Sequence, residues 1–95
     1  KKLKFDSILN QSFSAYIRLD VIDQPGVLSN ITSEFSKYKV SIKRLIQNPL
    51  KSKKKSSIVI ITHNTKDLYL TKTIQKLSKK KYLIKKPKLI RIEDK

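Results

Sequence analysis

The sequence has no cysteine, no methionine and no tryptophan, and only one glycine, one histidine and three prolines in 95 residues. Without cysteine, neither a disulfide framework nor a thiolate metal site can form, and a lone His63 removes most histidine-based metal or triad chemistry. Long apolar runs are missing too. None approaches the ~18 residues of a membrane span, and the opening KKLKFDSIL is too short and too interrupted for a signal peptide. A cytoplasmic location with no membrane partner is expected. The lack of any Met points to a piece of something longer, with residues 1–13 as a linker tail ahead of one domain over residues 14–95.

Acidic residues are scarce, 7 against 23 basic ones, for a net charge of +16. Such an excess ordinarily points to nucleic acid or anionic lipid. It is nearly all lysine, with only Arg18, Arg44 and Arg91 beside it, whereas readers of bases and phosphates favour the planar arginine fork. A genome-wide codon bias toward lysine and isoleucine produces the same balance, so electrostatic nucleic-acid binding is the weaker alternative. The few acids are scattered and His63 has no evident partner. No paired carboxylates or nucleophile–base set is offered, and no catalytic residue or metal ligand is expected in this chain.

What is present reads as alternating elements. YIRLDVI (Tyr16–Ile22) sets Ile17, Leu19 and Val21 against Arg18 and Asp20, the period of a half-buried strand. VLSNITSEFSKY spaces Leu28, Ile31, Phe35 and Tyr38 three or four apart, an amphipathic helix with Pro25 in its first turn and Asp23 near its cap. Val40–Gln47 is a second strand in which Arg44 breaks the alternation, the mark of a bulge or an exposed end. NPLKSKKKS cannot pack and reads as a solvated hairpin connection. SIVIITH (Ser57–His63) is apolar on both parities, as a central strand is. NTKDLYLTKTIQKLSKKK opens with a near capping box, Asn64 to Asp67, and spaces Leu70, Ile74 and Leu77 for a second helix. YLIKKPKLIRIE is a strand whose Pro87 cannot donate to a ladder, so it belongs at an edge.

The order β-α-β-β-α-β folds as a ferredoxin-like α+β sandwich, four antiparallel strands with two helices on one face. An RNA-recognition module shares this architecture but stacks bases on aromatics of its central strands; SIVIITH has none and the first strand only Tyr16. The single Gly26 stands at the strand-to-helix turn, where no Cβ blocks a ligand from the backbone and the following amides face outward at the helix N-terminus. A tight turn alone also explains Pro25-Gly26.

The flanking residues narrow this choice. RLDVIDQPGVLSNITSEFSKYKVSIKRLIQ resembles the ACT domain, an amino-acid-sensing module whose mark is D-x-P-G-V-L between first strand and first helix. AYIRLDVIDQPGVL, VSIKRLIQ, IVIITHNTKD and KPKLIRIE together most resemble the C-terminal regulatory ACT domain of homoserine dehydrogenase. The resemblance implies an upstream catalytic domain of the same chain that reduces aspartate semialdehyde with NAD(P)H, no cofactor in this domain, and an amino-acid effector, threonine. It also implies a homodimer through the sheet edge with the effector at the interface, or, as an alternative, a domain that only assembles the oligomer. Carried over residue by residue, Gly26, Val27 and Leu28 offer backbone groups to the effector and Asp23 meets it from the turn. Ser41, with Ile42 beside it, faces the pocket from across the interface. Asp23 has a competing role as helix cap. Arg44 and the hairpin Lys51–Lys55 have no role in the motif.

Overall fold

A computed structural model describes residues 12–51 and 54–92. The chain runs β1 (Ser12–Ile22), α1 (Val27–Lys37), β2 (Ile42–Pro49), β3 (Lys55–Thr62), β4 (Thr65–Lys66), α2 (Asp67–Ser78) and β5 (Lys88–Ile92). β1 is the hub of an antiparallel sheet. It pairs with β3, Tyr16 opposite Ile61 and Ile22 opposite Lys55, and with β5, Ser14 opposite Ile92 and Arg18 opposite Lys88. β2 pairs with β3, and among the described residues its other edge has no strand beside it.

The alternation expected in β1 decides the layers. Ala15, Ile17, Leu19 and Val21 are buried and cluster with Ile58 and Ile60 of β3, Ile31 and Phe35 of α1, and Leu70 and Leu77 of α2. Both helices therefore cover the same sheet face. The opposite parity, Tyr16 and Arg18 with Val59 and Ile61, is only half-buried, and Ile46, Ile90 and Ile92 are exposed. In such a core each buried Ile or Leu contributes about 1.5–3 kcal/mol.

Several boundaries differ from expectation, each for a local reason. β1 begins at Ser12, because Ser12 and Phe13 pair with Lys66 and Thr65. This short β4 makes a fifth strand and delays α2 from Asn64 to Asp67. No side chain caps α2; the Asp67 carboxylate is instead taken by the Nε of Arg91 on β5. Arg44 does mark a bulge, since the β2–β3 register shifts between Ile42 and Arg44. The last strand is split in two. Around Leu83 the chain lies along the end of β1, where Tyr82 C=O accepts from Ile22 at 2.8 Å and the Ile84 amide donates to Asp20 C=O at 2.8 Å. Pairing resumes at Lys88, so Lys85, Lys86 and Pro87 loop out of the ladder where the missing proline donor costs nothing. The strand pairs with β1 alone among the described residues, an edge as expected.

Candidate functional site

The turn ahead of α1 is built by two residues. Gln24 C=O accepts the Val27 amide at 3.2 Å, with Pro25 and Gly26 between them. Gly26 has φ 89° and ψ −14°. Proline at the first central position and a positive φ at the second define a type II turn. A Cβ on Gly26 would meet nothing within 4 Å, so glycine is required by the backbone angle, and the space above it is open. Gly26 is also the N-cap of α1: its C=O accepts from Asn30 at 2.9 Å.

Asp23 is therefore not the helix cap. Three residues before the capping position, its carboxylate reaches no first-turn amide; its own amide donates to Lys54 C=O at 2.6 Å, and the side chain stands exposed. Val27 turns its side chain into the core and has its amide engaged in the turn. The Leu28 amide has no partner among the described residues, and its side chain is 36% exposed. Gln24, Pro25 and Gly26 are exposed as well. The result is an outward-facing helix N-terminus beside a carboxylate that has no partner among the described residues, the donor and acceptor set that an amino-acid zwitterion needs.

Ser41 and Ile42 lie elsewhere. They line a cleft of about 480 Å³ with Thr32, Ser36, Lys39 and Val40, at the far end of α1. Ser41 C=O accepts the His63 amide at 2.9 Å, which fixes the entry to β2. The bend into this cleft is a Schellman motif: Lys39 N–H donates to Ser36 C=O at 3.0 Å and Val40 N–H to Phe35 C=O at 2.9 Å. Lys39 takes the left-handed conformation, φ 65°, usually left to glycine. An 11-residue helix is about 16 Å long. One chain thus holds Asp23–Leu28 and Ser41–Ile42 at opposite ends of α1 and does not bring them together. Thr32 and Ser36 were not among the expected residues, although their i, i+4 spacing on the polar side of α1 was a readable signal.

The floor between the helices holds a further polar group. Glu34, 4% exposed, receives Lys80 at 2.9 Å and has Lys37 at 3.8 Å. The hydrogen bond from Lys80 holds its carboxyl below the usual value against the opposing effect of burial. Tyr82 donates to Asn30 Oδ1 at 2.6 Å, and burial with the nearby Glu34 charge pushes its hydroxyl up to about 12. These groups clamp α1 to the segment following α2. Among the described residues no His, Cys, Asp and Glu group could hold a metal, and no helix is long and apolar enough to cross a membrane.

Residues 15–80 match the family model for the ACT domain. The chain belongs to the ACT domain family. The matched span takes in the Pro25-Gly26 turn and the Ser41–Ile42 cleft of this ACT domain. Among curated proteins it is similar to homoserine dehydrogenase of Mycobacterium leprae, 34% identical over 67 residues, which are 66% of this chain and 15% of that one. Among solved structures it is similar to a homoserine dehydrogenase from Thiobacillus denitrificans, with TM-score 0.80 and 28% identity over 92% of this chain and 19% of that one. The ACT domain of a GTP pyrophosphokinase from Chlorobium tepidum shares the fold, with TM-score 0.65 and 22% identity over 85% of this chain and 99% of that one. The chain thus spans less than a fifth of the homoserine dehydrogenases that it matches.

Proposed function

We propose that this ACT domain senses an amino acid at the interface of a homodimer and serves as the regulatory part of a homoserine dehydrogenase. In this reading the catalytic region of the same protein uses NAD(P)H, and the effector is threonine, the end product expected to feed back on that step. The observation that carries the reading is the division of the site. The turn and the cleft lie at opposite ends of α1, beside a β2 edge that no strand of the described residues covers. A two-fold copy added antiparallel along β2 sets its own α1 antiparallel too, so the Asp23–Leu28 turn of each copy meets the Ser41–Ile42 cleft of the other. The Leu28 amide and the helix dipole then face the effector carboxylate, Asp23 faces its ammonium, and Ser41 approaches from the partner.

A domain that only assembles the oligomer is the second reading, and the engaged Val27 amide favours it, because one fewer donor is left for a ligand. Thermal melting against a panel of amino acids, with sedimentation of the same samples, separates the two. Threonine at about a hundred times its dissociation constant should add about 2.7 kcal/mol of stability. A persistent dimer that no amino acid stabilises leaves assembly alone. A chain that stays monomeric at every concentration and with every amino acid overturns both.

A further inference from the structure

The loop-out of Lys85, Lys86 and Pro87 opens a second pocket, on the sheet face that the helices do not cover. It has a volume of about 240 Å³ and is lined by Arg18, Asp20, Lys85, Lys86 and Lys88. At its centre is a buried carboxylate. Asp20, 5% exposed, accepts Arg18 Nε on one carboxylate oxygen at 3.1 Å and Lys85 Nζ on the other at 3.2 Å. Burial pushes this carboxyl up, but the hydrogen bonds and charges of Arg18 and Lys85 outweigh it and hold the group ionised. One buried carboxylate thus anchors two cations, half-exposed Arg18 and exposed Lys85, at the pocket. Lys86 and Lys88 add two more with no hydrogen bond or ion pair among the described residues. Four cations against one anion leave an excess of three positive charges around one small cavity. The lysines along the open side of α2, Lys72, Lys76 and Lys79, form no ion pair with a buried carboxylate among the described residues, although the charge of Glu34 reaches Lys76.

We propose that this pocket is a binding site for a small multivalent oxyanion, the diphosphate group of a phosphate-bearing metabolite. Only the Nε of Arg18 is engaged by Asp20, so the outer edge of its guanidinium remains to meet an oxyanion in the manner that suits arginine. The volume lies below the ~300–1,000 Å³ of ordinary ligand pockets and suits a charged group rather than a whole coenzyme. The site lies on the β5 side of β1, away from the α1 turn and the β2 edge, and stands whether or not the domain senses an amino acid.

Calorimetric titration of the 95-residue chain with pyrophosphate, inorganic phosphate, ADP and citrate at physiological ionic strength tests it. Expected are saturable one-to-one binding of pyrophosphate, weaker binding of phosphate, and a loss of about tenfold or more in the Lys86→Gln, Lys88→Gln double variant. Both positions are exposed, so its melting temperature should stay unchanged. ADP binding more tightly than pyrophosphate identifies a nucleotide as the source of the diphosphate, and equal affinity identifies the free diphosphate. The proposal is overturned if binding does not saturate, if citrate binds and pyrophosphate does not, or if Lys72→Gln with Lys79→Gln weakens binding as much, which would reveal charge without a site.

Discussion

Gly26 shows how a single residue carries both a fold requirement and a functional opportunity. Its φ of 89° is costly for any side chain, although a Cβ would find open space. Gly26→Ala should therefore destabilise the domain by about 1 kcal/mol, the backbone strain less the freedom that the unfolded chain also loses, measurable by denaturant unfolding. A loss of several times that amount would mean that packing is involved. Lys39 is the complementary case: a left-handed residue other than glycine in a Schellman turn, with an exposed side chain. Lys39→Gly should stabilise the domain by about 0.5–1 kcal/mol, the relief of strain less the extra freedom of the unfolded chain. The need for glycine at position 26 was legible, since Pro-Gly before an apolar run is a local signal. The angle at Lys39 was not, because nothing in the composition of that turn announces it.

At the scale of elements, α1 is held to the segment following α2 by polar contacts as well as by its apolar stripe. Glu34 falls in the buried stripe of α1 three residues after Ile31 and meets Lys80, 46 positions further along the chain. Its folded pKa is lowered below 4.5, so its contribution is complete above that value and is lost as the pH falls through the folded value. Glu34→Gln should cost about 1.5 kcal/mol at neutral pH, at the low end of charged hydrogen bonds because Lys80 is partly exposed. The difference from the parent should vanish in acid, as unfolding followed at a series of pH values will show. Tyr82 has the opposite sign. Its folded pKa, raised to about 12 from 10, means that stability is lost as the pH rises from 10 toward the folded value. Tyr82→Phe should remove a late-titrating component from the phenolate absorbance curve. The start of α2 eluded the sequence because the pairing of Thr65 and Lys66 with β1 is a long-range event, while the near capping box at Asn64 is a local one.

For the whole molecule, a charge of +16 opposes the association of two copies. Screening falls within reach of neighbouring surfaces when the Debye length shortens to about 8–10 Å. Dimerisation, measured by sedimentation, should therefore strengthen as salt rises from low to physiological concentration; weakening would point to an interface built on ion pairs instead of the β2 edge. The element order apart from the short β4, the amphipathic faces, the Pro25-Gly26 turn, the irregularity at Arg44 and the edge position of the strand with Pro87 were all determined by the sequence itself, because periodicity, turn angles and a missing donor act on neighbouring residues. Only the tertiary structure decided that Asp23 leaves the cap to Gly26, that Thr65 and Lys66 join β1 as a short strand, and that Lys85 folds back onto Asp20. The fold-back of Lys85 depends on register between strands and on which distant side chains end up facing one another, and no local preference encodes it.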